Sequence, residues 1–350
     1  MSEKPVIAAI DVGSGYTKWA VRDARGQLRT GAFISSAPPA MRSGHGEDHH
    51  STACVTVDGV VHIVGPGCLT YCDPLMEIRG AAWSPDRTTY EALVLYALAS
   101  IDERVIHHLV LGHAPESNLT DLSMYQGDVA VPVLADRGTT TRVTSVRLVS
   151  IVSPTAAALL GAAVHEPALL EHAGQTLVLQ LGYSSLLFQA PDGAYTPAGT
   201  VMGGMFRVYE QLNRRFGFDS CSYARIPHVR FELAQTEAKP VWWSARYHDF
   251  NGELPTALPL LDVYLAEAMR RMGPLPLLHN VVVTGGAAPL LAKRFMRRYP
   301  DLPAPYVAPQ PQYASVKGYL ASAQAADLGI PPPSELRNKK RKDSSAARTV

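Results

Sequence analysis

The stretch from Ile7 to Val21, IAAIDVGSGYTKWAV, constrains this chain more than any other. Two apolar, β-prone runs flank a turn region containing Asp11, Gly13, Ser14, Gly15, Tyr16, Thr17 and Lys18. That is the composition of a β-hairpin whose turn gathers backbone N–H groups into a concave nest suited to phosphate oxygens. Gly13 and Gly15 permit φ > 0 and allow a polyphosphate to approach the main chain closely. Ser14 and Thr17 add hydroxyl donors, and Lys18 adds a mobile positive charge. Asp11 stands where a carboxylate can hold a hydrated Mg²⁺ beside the phosphates. The pattern is not a Walker P-loop, which needs Gly-x-x-x-x-Gly-Lys-Ser/Thr between a strand and a helix. A plain glycine-bearing hairpin with an exposed lysine is the alternative, so the rest of the chain has to supply the other parts of a nucleotide site.

A chain of 350 residues is long for one core and implies two domains. A formal net charge of +1 gives no general attraction to nucleic acid or membrane. No apolar leader precedes the first strand, and the run at 176–188 is too short and too interrupted to span a bilayer, so the expectation is a cytoplasmic protein without membrane contact. Cys54, Cys68, Cys72 and Cys221 match no zinc or dithiol spacing; Cys68 and Cys72 with His62 form only a loose metal set, and reduced thiols are the simpler reading. The segment 35–52, with Pro38, Pro39, His45, His49 and His50, reads as a mobile surface loop rather than a metal centre.

Hydrophobic periodicity orders the remainder. A third strand runs from Leu28 to Ile34, a hairpin turns at Asp58-Gly59 within 54–64, and Thr88–Ile101 is a helix. Strands follow at 107–112 and 142–152. Pro154 then opens a helix at a favoured early position. Residues 176–188 form a strand, a Gly-Tyr-Ser-Ser turn and a second strand; 201–216 begins at Gly203-Gly204 and becomes an amphipathic helix. The stretch 219–254 reads as irregular and 255–272 as mostly helix. A buried strand, 280–284, enters the turn Gly285-Gly286-Ala287, and helices follow at 290–299 and 312–326. From Pro331 the chain is Pro-rich, then basic, the composition of a disordered tail.

Five of these pieces, in order, resemble the actin and heat-shock-chaperone ATPase superfamily. The hairpin at Asp11–Lys18 resembles its first phosphate hairpin, and Leu177–Phe188, with Gly182, Tyr183, Ser184 and Ser185 in the turn, resembles the second. Ser153–Leu159 is similar to the first connecting helix, Val282–Ala287 to the adenosine motif, and Tyr313–Tyr319 to the second connecting helix. The segment Gly199–Met205 is most similar to the bacterial plasmid-segregation actins, the ParM/StbA group. The resemblance implies an α/β fold of two similar ribonuclease H-like domains flanking a nucleotide cleft. It divides the chain at 1–152 and 153–330, with small subdomains inserted at about 35–75 and about 205–275, and a basic tail at 331–350.

The same resemblance implies ATP and Mg²⁺ as ligands. Asp11 would act through metal-bound water; Gly13, Ser14, Gly15, Tyr16, Thr17 and Lys18 would hold one side of the phosphates; Gly182, Tyr183, Ser184 and Ser185 would hold the other. Gly203, Gly204, Gly285, Gly286 and Ala287 complete the implied site. It further implies head-to-tail assembly into filaments, which non-closing contacts generate, and movement of plasmid DNA through a DNA-binding adaptor. Two departures stand out. Gln180 replaces the Asp that usually opens the second hairpin, and Ser153 replaces the Glu or Gln that usually orients the attacking water. With Asp11 these are the candidate catalytic positions, and they point to slow ATP hydrolysis. A non-filamentous ATP-binding enzyme or regulatory scaffold of the same fold is the second expectation.

Overall fold

Strand β1 (Ile7–Val12) lies inside the first sheet, and its alternation decides how the layers stack. In this computed structural model, residues 4–39, 53–65, 68, 87–112, 123–133, 140–192, 194–216, 241–243, 246–275 and 278–327 are described. The loop histidines His45, His49 and His50, the thiols Cys72 and Cys221, and the tail 331–350 lie outside them.

The first half contains β2 (Tyr16–Arg22), β3 (Leu28–Ile34), β4 (Ala53–Val57), β5 (Val60–Val64), helix α1 (Arg87–Ile101), β6 (Val105–Gly112), β7 (Gly127–Val133) and β8 (Thr140–Val152). The second half contains α2 (Pro154–Ala163), β9 (Thr176–Leu181), β10 (Ser185–Gln189), β11 (Ala198–Met202) and α3 (Met205–Arg215). It continues with β12 (Val241–Trp243), β13 (Arg246–His248), α4 (Phe250–Ala257), α5 (Pro259–Met272) and β14 (Asn280–Thr284). The last elements are α6 (Ala288–Arg298), β15 (Pro305–Val307) and α7 (Ala314–Asp327). The stretch 219–254, expected to be irregular, thus holds β12, β13 and most of α4 among its described residues.

The two main sheets repeat one design. The first has the order β3-β2-β1-β6-β8-β7 and the second β11-β10-β9-β14-β15. In each, an antiparallel three-strand meander is extended by two parallel strands, so β1 corresponds to β9, β6 to β14 and β8 to β15. The edge strand β7 is the addition to the first sheet, and Pro132 fits there because an edge strand can spare an N–H.

Side chains two apart on a strand share a face. Ala8 and Ile10 therefore join Leu93, Leu98 and Ile101 of α1 in one core, while Ile7 and Ala9 on the other face pack against Val316, Tyr319 and Leu320 of α7. The second sheet does the same: Leu177, Leu179 and Leu181 face the core built with α3 to α6, and Val178 faces Ala158, Leu159 and Ala162 of α2. The two connecting helices thus each cover the sheet they did not follow in the chain. Helix α7 leaves the second sheet and returns to the first. Asp11 and Gln180, at matching strand ends, inherit the faces turned towards this helix pair.

Candidate functional site

Asp11 lies directly opposite Lys18 in the β1–β2 register, so both side chains leave the same face. Lys18 Nζ donates to Asp11 Oδ2 at 3.3 Å, with only 18% and 10% of the two side chains exposed. Gly13 keeps this turn open: a Cβ there would stand 3.0 Å from the Tyr16 carbonyl and 3.5 Å from the ammonium. Neither Gly13 nor Gly15 uses the positive φ that glycine permits; what Gly13 supplies is space. Thr17 also departs from expectation. It pairs with Val12 on the opposite face, is fully buried, and its Oγ1 lies 2.8 Å from Ser35 Oγ. Its hydroxyl fastens β2 to the end of β3 and does not turn with Lys18.

The turn of the second hairpin is pinned from behind. The Gly182 amide donates to the Ser185 carbonyl at 2.8 Å. The amides of Gly203, Met205 and Phe206 donate to the carbonyls of Ser184 (2.8 Å), Gly182 (3.2 Å) and Tyr183 (2.7 Å). The first N–H groups of a helix have no partner within the helix, and here α3 satisfies two of them on the hairpin turn. A side chain at Gly204 would overlap the Gly182 carbonyl, and Gly203 has φ 120° with the Tyr264 ring against it. The structure therefore gives Gly203 and Gly204 the task of seating α3. Tyr183 turns its ring into the aromatic group of Phe206 and Tyr209.

The two turns meet. Ser14 Oγ accepts from both the amide (3.2 Å) and the hydroxyl (2.7 Å) of Ser184. This one contact brings the two hairpins, 170 residues apart, into a single clamp.

Below the clamp, α2 and α7 cross at two glycines. A methyl group at Gly161 would overlap the Ala314 carbonyl, and one at Gly318 would overlap the Ala157 carbonyl. This reciprocal backbone contact is what the small residues of both helices make possible. Ser153 caps α2 without a side-chain bond to its backbone; its Oγ lies 3.1 Å from Thr155 Oγ1.

Gln180, 8% exposed, has its Oε1 3.2 Å from the donating Ser315 hydroxyl of α7, which also lies 3.4 Å from the Pro154 carbonyl. Thr284 stands beside Gln180 in the sheet register, fully buried and with no partner for its hydroxyl among the described residues. At the turn after β14, Gly285 has φ 94°, and a side chain on it would overlap the Leu181 carbonyl. Gly286 borders open space, and Ala287 is buried at the start of α6.

Three residues near Asp11 escaped the sequence reading. Tyr319 is fully buried, and its hydroxyl has no partner among the described residues. Burial, then the charge of Asp11, holds its phenol well above the usual range and so protonated. Tyr90 on the other side is raised for the same two reasons. Gly112 is the notch between Tyr319 and Asp11: a methyl group there would overlap the Tyr319 hydroxyl and stand 3.1 Å from Asp11 Oδ1. Ser315 and Tyr319 are four residues apart on one helix face, a spacing visible in the sequence but without meaning until the partners of that face were known.

The donor set fits a hydrated divalent cation and phosphates better than a direct metal cage. Asp11 gives one carboxylate, and Ser14, Ser184 and Lys18 give phosphate donors. Among the described residues, no group of three or more His, Cys, Asp or Glu converges on one point. Nor is any described helix long and apolar enough to cross a membrane.

No protein-family model and no curated protein sequence matches the chain. Solved structures do match. A 15-stranded ParM filament from Clostridium botulinum has a TM-score of 0.64 at 14% identity, covering 92% of this chain and 99% of that one. The archaeal actin homologue Ta0583 has a TM-score of 0.64 at 15% identity, over 91% and 99% of the two chains. The filament of AlfA, from the B. subtilis plasmid pLS32, has a TM-score of 0.56 at 17% identity, over 90% and 98%. The duplicated sheets, the facing hairpin turns and the crossed helices beneath them are thus the actin-like fold, and this chain has it along nearly its whole length.

Proposed function

We propose that the chain binds ATP with Mg²⁺ in the cleft between its two sheets and polymerises head to tail into filaments that position plasmid DNA through a DNA-binding adaptor. The observation that carries the reading is the Ser14–Ser184 contact, which sets two phosphate-type turns face to face beside the Asp11–Lys18 pair. Phosphates entering there meet the hydroxyls of Ser14 and Ser184 and the ammonium of Lys18. When bound, the metal supplies charge neutralisation at the phosphates, and Asp11 holds its water shell. Gly285, Gly286 and Ala287 provide the wall for the adenosine. Filament formation rests on the fold shared with the ParM and AlfA filaments. Head-to-tail contacts between copies are heterologous and propagate without closing. The near-neutral chain, with a formal net charge of +1, suits an adaptor rather than direct DNA binding.

Hydrolysis is slow in this reading. Gln180 brings no charge to the metal, and its carbonyl oxygen is occupied by Ser315. Ser153 is short and paired with Thr155. Calorimetric titration with ATP, in the presence and absence of Mg²⁺, tests the binding step; no heat under either condition contradicts it. Phosphate release followed in parallel tests the second step. Ser153→Glu is expected to raise it by about a hundred-fold, the lower end of the usual contribution of a positioned general base, and an unchanged rate would place water activation elsewhere.

A further inference from the structure

We propose that Tyr319 is the positioning residue for Asp11, donating its phenolic hydrogen to Oδ1 so that the carboxylate stays aimed at the metal's water shell. The inference rests on the nucleotide-binding reading above and adds a role for Tyr319, a residue of the second connecting helix to which the sequence motif gives no task. In the structure Oδ2 of Asp11 is held by Lys18 at 3.3 Å, while Oδ1 borders the Gly112 notch together with the Tyr319 hydroxyl. That hydroxyl is fully buried and has no partner among the described residues. A buried donor without an acceptor is costly and rarely kept without a use. Asp11 is the negative charge that acts on it.

Phosphate binding supplies the reason. A lysine that turns to phosphate oxygens leaves Asp11 without its countercharge, and a carboxylate losing one donor needs another to keep its rotamer. Tyr319 is placed to provide it, because Gly112 has no side chain to stand between them. The tyrosine comes from α7, the helix that also carries Gly318 at the crossing and Ser315 against Gln180. One helix therefore borders both hairpin strands at equivalent positions, and a shift of α7 would be felt at Asp11.

The test is Tyr319→Phe, which deletes one oxygen and keeps the packing. Binding of a fluorescent ATP analogue is titrated with Mg²⁺ for wild type and variant. The Mg²⁺ concentration at half-saturation is expected to rise by about ten-fold or more in the variant, the usual consequence of losing a partner behind a metal-holding group. Binding of the analogue in EDTA is expected not to change, a separation that a purely structural role would not produce. Equal Mg²⁺ dependence in the two proteins overturns the proposal. A second readout needs no nucleotide: urea unfolding of Tyr319→Phe, Asp11→Asn and the double variant, all in a Lys18→Met background. Non-additive midpoints are expected, and additivity within error overturns the coupling. If wild type fails to bind the analogue at any Mg²⁺ concentration, the nucleotide reading fails, and the urea cycle alone decides whether Tyr319 serves Asp11.

Discussion

Gly318→Val is expected to be the most destabilising single substitution among those considered, with a loss of about 3 kcal/mol, the upper part of the range for overpacking a tight interior. A Cβ at this position would lie on the Ala157 carbonyl, which is backbone and cannot swing aside as a side-chain tip can. Two effects oppose each other. Removing glycine from a helix interior gains up to about 1 kcal/mol of helix propensity, while separating α2 from α7 loosens the two inner cores at once. Those cores bury Tyr319, Val316 and Leu320 on one side and Leu159, Ala162 and Val178 on the other. The steric term wins because no rotamer of valine avoids it. Gly161→Val should behave alike, since its Cβ meets the Ala314 carbonyl. Gly286→Ala, bordering open space, is the control and should be near neutral. Urea unfolding midpoints read all three. A Gly318→Val protein as stable as wild type would mean that the helices are not in backbone contact.

Asp11→Asn carries the second large effect, and its sign depends on the metal. With Mg²⁺ present, ATP affinity is expected to fall by about a hundred-fold, because the amide holds the metal's water shell without charge. In EDTA the affinity is expected to be unchanged or higher, because a negative charge facing the phosphates has gone. Lys18→Met should lower affinity under both conditions, having removed the cation bonded to Asp11 among the described residues. A calorimetric comparison of the two variants with and without Mg²⁺ separates these signs. Equal losses for Asp11→Asn with and without metal would show a folding defect instead of a lost metal contact.

Much of this fold was legible in the sequence because its strands alternate cleanly. The first hairpin, the turn at Asp58-Gly59, helix α1 and the strand into Gly285 all follow from period-two or helical patterning. The edge strand β7 and the short β11 and β15 were not foreseen. A proline interrupts β7 and β15, and Gly199 and Thr200 interrupt β11, so runs of three to seven residues give little pattern. The site was read less completely. Glycines announce that a Cβ is unwelcome but not what would meet it. Gly203 and Gly204 seat a helix, Gly13 leaves room for the Tyr16 carbonyl, and Gly161 with Gly318 lets two helices cross. The Thr17 hydroxyl reads from sequence as a phosphate donor, but strand alternation sends it to Ser35. Tyr319 and Ser315 gain their meaning only from Asp11 and Gln180, more than a hundred residues away.

The most direct test of the central claim is light scattering of the purified protein with Mg²⁺ and ATP, a non-hydrolysable ATP analogue, ADP or no nucleotide, with electron microscopy of each sample. The account predicts scattering and filaments with ATP and with the analogue, and none without nucleotide. Protein that binds Mg²⁺-ATP yet stays unassembled at every concentration tested would contradict filament formation and favour a non-filamentous ATP-binding protein of the same fold.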